Sequence, residues 1–207
     1  MASNTLGAKV IKPLKAPKLS VQCESIAQNT KAIRSLDWDR SRFDIEFGLR
    51  NGTSYNSFLI QGEKTALIDT SHIKFEHSWF AAIGEIVSLQ EIDYLIVSHT
   101  EPDHSGLIAG LLDKNPNIQI VASKVAIKFL TDQLHRDFHS KAVKTGDVLD
   151  LGINKSNQIH HSFEFLSTPN LHWPDTIFSF DHGTKILYTC DAFGLHYCSE
   201  KLFDEDA

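Results

Sequence analysis

The stretch that most constrains this chain is Ser98-His99-Thr100-Glu101-Pro102-Asp103-His104-Ser105-Gly106, a polar segment set between two apolar runs. Tyr94-Leu95-Ile96-Val97 leads in and Leu107-Ile108-Ala109-Gly110-Leu111-Leu112 leads out, which reads as a buried strand, a polar turn and a helix. In an open α/β sheet such a turn lies just past the carboxyl end of its strand, where sites form. Proline at 102 fixes one backbone angle and is expected to keep the segment out of a regular helix. A loop can then aim His99, Glu101, Asp103 and His104 at one point, four candidate metal ligands within six residues.

The residue types set the chemistry. Imidazole and carboxylate together suit iron, zinc or manganese, and no thiolate lies in the segment, which argues against an iron–sulfur cluster. One ion needs only about four protein ligands, so donors joining from elsewhere would make room for two. The bland alternative is a helix-capping Asp with two surface histidines. The density of donors directly behind a strand favours metal.

Composition narrows the class. With 207 residues, 42% hydrophobic and a net charge of -6, the chain suits one soluble domain with a sizeable core and no nucleic-acid partner. No apolar run approaches the roughly 20 residues of a membrane span, and no secretory segment opens the chain. Cys23, Cys190 and Cys198 are odd in number and scattered, which reads as reduced thiols in a cytoplasmic setting. The spacing of Cys190 and Cys198 matches no common zinc pattern.

Taken in order, residues 1 to about 20 read as a flexible basic arm, with Lys9, Lys12, Lys15 and Lys18 and no acid, and residues 21–207 as one domain. Phe47–Leu49 and Thr53–Ile60 read as strands joined by an Asn51-Gly52 turn, and Gln61–Lys64 as a hairpin turn before Thr65–Asp69. Asp69 ends its strand, where it either caps the next turn or orients a nearby ligand. Phe75 to Leu89 has helical spacing, and Ser123 opens a helix through Leu134 that buries Val125, Phe129 and Leu130. Strand–helix–strand–helix over 92–134 favours a parallel region, and the second half alternates short antiparallel strands with turns. Two later residues, His172 between Pro169 and Pro174 and Asp191 after Leu187-Tyr188, also stand at strand ends.

Taken together, Asp69, the His99–His104 cluster, His172 and Asp191 resemble the metallo-β-lactamase superfamily. Glu101 replaces the second histidine of the HxHxDH pattern of most hydrolases there. With His172-Trp173-Pro174-Asp175 and Thr53-Ser54-Tyr55-Asn56-Ser57, it makes the chain resemble the flavodiiron proteins, in particular their cyanobacterial and chloroplast subgroup. The resemblance implies an α/β fold, a metallo-β-lactamase-like αββα sandwich that is C-terminally incomplete here. It implies two iron ions: His99, Glu101 and His172 on the first, Asp103 and His104 on the second, Asp191 bridging them, and Asp69 behind the ligands. One more histidine ligand lies beyond this chain in the family, and His196 belongs to a Phe-Gly-x-His segment instead.

The resemblance further implies a fragment of a longer polypeptide whose flavodoxin-like and flavin-reductase-like domains carry FMN, which this chain alone does not bind. In the whole protein, electrons from NAD(P)H pass through flavin to reduce O2 to water, or NO to N2O. The partners implied are the diatomic substrate and a flavin domain of the same or a second subunit, in a homo- or hetero-dimer, cytoplasmic or in a chloroplast stroma. Two rivals stand beside this reading: a metal-dependent hydrolase, and a metal-poor dimerisation fragment.

Overall fold

The computed structural model describes residues 18–43, 47–156 and 158–203. The basic arm falls outside these up to residue 17. Leu19 and Ser20 already pair with Asp37 and Leu36.

Alternating side chains build the first hairpin, β1 (Leu19–Ala27) with β2 (Thr30–Asp37). A short ribbon, β3 (Arg42–Phe43) with β4 (Phe47–Gly48), stands apart from it. β5 (Thr53–Gln61) and β6 (Thr65–Ile68) form the hairpin expected around Gln61–Lys64. Helix α1 (Glu76–Gly84), β7 (Tyr94–Val97), the one-turn α2 (Pro102–Ser105), α3 (Ile108–Lys114), β8 (Gln119–Ala122), α4 (Lys124–Leu134) and β9 (Ser140–Ala142) follow. The resulting seven-stranded sheet has the order β1-β2-β5-β6-β7-β8-β9. It is antiparallel up to β6 and parallel from β6 to β9, as the strand–helix alternation predicts. A second sheet of four antiparallel strands comprises β10 (Val148–Ile153), β11 (His160–Ser167), β12 (Ile177–Asp181) and β13 (Ile186–Tyr188).

The period-2 alternation of β7 joins the layers. Leu95 and Val97 enter the core under the helices, with Phe75, Trp79, Ile83, Ile108 and Leu111. Ile96 points the other way, into a core between the sheets with Phe163, Phe165, Leu151 and Ile177. Each such side chain contributes about 1.5–3 kcal/mol on burial. Buried Trp79 keeps its indole N–H satisfied by donating to Ser57 Oγ at 2.9 Å. Helix, sheet and sheet are thus three layers of the sandwich, and the outer face of the second sheet carries exposed Val148, Leu166 and Leu187. Among the described residues no helix is long and apolar enough to cross a membrane.

Four local expectations change. The ligand segment is not wholly a loop: Pro102 stands at the start of α2, where its missing N–H costs nothing. Asn51-Gly52 does not close a hairpin, because β4 pairs with β3 while β5 pairs with β2 and β6. Gly52 has φ +63°, and a Cβ there would lie 2.2 Å from Asp37 O, so the glycine serves a close backbone crossing. The helix expected to Leu89 stops at Gly84, the residue type that least favours continuing. In α4 the fully buried residues are Ala126 and Leu130, four apart, while Val125 is 38% exposed.

Candidate metal centre

Three strand ends deliver the site. β6 ends at Asp69, β7 at the Ser98–Gly106 segment and β13 at Asp191, and the β11–β12 connection brings in His172 and Asp175. The crossing of the ligand segment is fixed by backbone. His104 N and Ser105 N both donate to Glu101 O at 2.9 Å, and Thr70 N and Oγ1 donate to His104 O at 2.7 and 2.6 Å. Gly106 closes the segment, since a Cβ there would meet Pro102 O at 2.4 Å and Ser71 O at 2.9 Å.

One cluster holds His99, Glu101, His172 and Asp191, whose ligand atoms all lie within 4.8 Å of one another. His99 Nε2 is 3.2 Å from Glu101 Oε2 and 3.9 Å from Asp191 Oδ2. His172 Nε2 is 3.4 Å from Glu101 Oε2 and 3.3 Å from the same Asp191 oxygen. The other Asp191 oxygen, Oδ1, faces His104 Nε2 at 2.9 Å, and Asp103 Oδ2 is 3.8 Å from that nitrogen. Asp191 therefore presents one oxygen to each of two groups of donors.

Behind each buried histidine stands a carboxylate. His99 Nδ1 is 3.1 Å from Asp175 Oδ1, and Asp175 Oδ2 accepts from Thr100 N at 2.8 Å and Thr100 Oγ1 at 2.7 Å. His104 Nδ1 is 3.3 Å from Asp69 Oδ2, and Asp69 Oδ1 accepts from Ser98 N at 2.7 Å. An ionised carboxylate only accepts, so each ring donates from Nδ1 to the carboxylate behind it and turns Nε2 toward the cavity. Asp69 thus lies between the His104 ring and the Ser98 backbone.

The electrostatics call for positive charge. Burial opposes a charged His99 ring, yet the Asp175 and Glu101 carboxylates outweigh it and hold His99 up at about 9. Burial likewise raises Asp191, but the His104 hydrogen bond and nearby imidazoles carry it down to about 2. Asp103 is raised by burial, and its Oδ1 is buried without a partner. Burial pushes the Cys190 thiol up to about 12. The donors fit a cation pair. Ligands about 2.0–2.2 Å from one ion sit roughly 3.3–3.5 Å apart, which is the spacing of Glu101, His172 and Asp191 Oδ2.

The structure brings together His99, Glu101, Asp103, His104, His172 and Asp191, with Asp69 behind them. His196 instead lies beside Thr53, Nδ1 to Oγ1 3.1 Å, with its ring 4.1 Å from that of Phe43. Reading by type missed two neighbours. Asp175 was legible only as part of the His-Trp-Pro-Asp string; its position depends on the start of β12 meeting the segment past β7, where Ile177 N donates to Ser98 O at 3.0 Å. Cys190 sits with Sγ 3.8 Å from His104 Nδ1, a contact that sequence spacing does not reveal. The donors open into a cavity of about 510 Å³, walled by Tyr55, Phe58, Tyr188 and Leu195 among others. His172, whose side chain is 56% exposed, stands at its rim.

The comparisons agree with this geometry. A model of the ODP family beta lactamase matches residues 53–206. Diflavin flavoprotein A 1 of Synechocystis sp. PCC 6803 is 57% identical over 189 residues, 91% of this chain and 32% of that protein. The anaerobic nitric oxide reductase flavorubredoxin of Aliivibrio salmonicida is 39% identical over 183 residues, 87% of this chain and 36% of that protein. The metal-soaked Flv1 flavodiiron core from Synechocystis sp. PCC 6803 superposes with a TM-score of 0.82 at 33% identity, covering 91% of this chain and 46% of that one. The chain thus spans about a third of the length of the curated relatives it matches. From the donor arrangement and these matches together, the chain belongs to the ODP family of beta-lactamase-like domains, on its cyanobacterial-type flavodiiron branch.

Proposed function

We propose that this chain is the iron-bearing domain of a larger flavoprotein oxidoreductase that reduces O2 to water, with NO to N2O as the related reaction. The observation that carries the reading is Asp191, whose two oxygens face His172 and His104 separately, at 3.3 and 2.9 Å. A bridging carboxylate of this kind suits two cations about 3.5–4 Å apart. His99, Glu101 and His172 would hold one iron and Asp103 and His104 the other, with Asp191 shared between them. Bound there, the two irons supply the electrons and the Lewis acidity for a diatomic molecule. FMN and NAD(P)H belong to the rest of the protein, in the same or a partner subunit of a dimer, in a cytoplasmic or stromal setting.

The chain's own residues perform three tasks. Asp175 and Asp69 fix the tautomers of His99 and His104, so each ring offers Nε2. Glu101 places an anion where most hydrolases of the superfamily have a neutral imidazole, which offsets more cationic charge and favours a ferric state. Phe58 and Tyr188 turn aromatic surface to the cavity beside the donors, which limits water on that side. The test is anaerobic loading with ferrous iron and a single exposure to O2. The iron-loaded chain is expected to consume O2 in proportion to its iron and faster than free ferrous ion, and Asp191→Ala to lose this. A zinc-loaded chain that hydrolyses thioester or lactam substrates, with no iron-dependent O2 uptake, would favour the hydrolase instead.

A further inference from the structure

On its Nδ1 side His104 has a second group of neighbours, which includes a thiol that the paired-iron arrangement does not use. Asp69, His104 and Cys190 each offer one ligand atom, and the three lie within 4.8 Å of one another. From His104 Nδ1, Asp69 Oδ2 is 3.3 Å away and Cys190 Sγ 3.8 Å. A tetrahedral ion with nitrogen and oxygen at about 2.0–2.2 Å and sulfur at about 2.3 Å holds N and O about 3.4 Å apart and N and S about 3.6 Å apart. Both separations are met within a few tenths of an ångström. Ser98 stands in the same cavity wall, 1% exposed, with a hydroxyl that has no partner and a backbone N–H already on Asp69. It supplies a polar group for the fourth position, directly or through a water.

We propose that Asp69, His104 Nδ1 and Cys190 form a separate site for a thiophilic divalent cation of the zinc class. The thiolate selects it, since sulfur donors favour zinc over the hard cations that oxygen donors hold. The ligands sit at positions 69, 104 and 190, one from each of three strand ends, which is why the cysteine spacing along the chain gives no zinc pattern. Filling the site is a ligand exchange without redox change. The cation gains a bond to sulfur and the thiol proton leaves to solvent. The imidazole proton moves from Nδ1 to Nε2, where Asp191 Oδ1 accepts it across 2.9 Å. A neutral imidazole has one free nitrogen at a time, so an ion on Nδ1 withdraws His104 from the cavity side. Zinc at this site therefore opposes iron at the neighbouring position. That exclusion rests on the paired-iron reading; the site itself does not.

Cobalt(II) is the probe, added to the metal-free 207-residue chain. A thiolate-to-cobalt charge-transfer absorption is expected in the near ultraviolet, absent from C190S and retained in C198S, with far-ultraviolet circular dichroism showing all three folded. Cobalt bound without that absorption, or the absorption surviving in C190S, would overturn the site. Zinc-preloaded wild type is then expected to take up about one equivalent of ferrous iron fewer than C190S treated identically. Equal uptake of two irons by both overturns the exclusion. Failure of both proteins to hold an iron pair, with the charge-transfer band intact, overturns the paired-iron reading and leaves the cation site standing.

Discussion

At the scale of single residues, the decisive groups are the carboxylates that touch no ion themselves. Asp175 is fully buried, and burial alone would raise it, yet hydrogen bonds with His99 and Thr100 hold it below the ordinary carboxylate range. In Asp175→Asn the amide can keep the Thr100 bonds, but its NH2 would face His99 Nδ1 and drive the ring proton to Nε2, the atom meant to ligate. Ferrous affinity should fall about 10–100-fold in a chelator competition, with secondary structure unchanged; an unchanged affinity would show that Asp175 does not set the His99 tautomer. Asp103 carries the opposite sign. Its folded value is raised, so its ionised form costs stability above that value, and the cost is relieved as pH falls through it. Asp103→Asn should therefore raise the urea midpoint of the metal-free chain at neutral pH while abolishing binding of the second iron. A lower midpoint would contradict the desolvation argument. The donors themselves were legible in sequence because their types are rare together. Asp175 and Cys190 were not, since their neighbours come from strands far away in the chain.

At the scale of elements, the ligand segment works because a strand, a proline and a glycine agree. Pro102 starts a single helical turn, and Gly106 lets that turn pass Ser71 and Pro102 at distances no Cβ allows. Gly106→Ala should destabilise the metal-free chain by about 1–3 kcal/mol, the range for forced overpacking, measured by urea denaturation. Loss below a few tenths would mean that the Ser71–Thr70 strand end gives way freely. The parallel β7–β8 pairing followed from strand–helix alternation, and the β5–β6 hairpin from its turn residues. The Asn51-Gly52 misreading has a plain cause: an Asn-Gly pair supplies a left-handed backbone, and here a crossing over Asp37 needs that as much as a hairpin does.

At the scale of the molecule, a buried carboxylate links strands of the second sheet: Asp181 on β12 meets the His161 imidazole on β11. Burial would raise Asp181, but His161 Nδ1 at 2.8 Å, Thr184 Oγ1 at 2.7 Å and Gly183 N at 2.9 Å hold it below the usual range. A carboxylate depressed on folding stabilises fully above its unfolded value, about 3.9, and loses that contribution as pH falls through the lower folded value. The Asp181 contribution to the urea midpoint, read as the difference from Asp181→Asn, should be level down to about pH 5 and fall below about pH 4. Asp181→Asn should be less stable at neutral pH with a shallower acid limb; an unchanged limb would remove Asp181 from the account. The layered sandwich was expected from the family resemblance, whereas this inter-strand pair was not, because alternation gives only which way a residue faces and not what it meets.

The proposed function turns on two cations sharing Asp191. The most direct test is Mössbauer spectroscopy of the chain reconstituted anaerobically with iron-57, with iron counted per chain. About two irons per chain are expected, as two cations sharing one carboxylate require, with an exchange-coupled spectrum that Asp191→Ala abolishes. One uncoupled iron, or two that stay uncoupled, would contradict a bridging Asp191 and with it the proposed function.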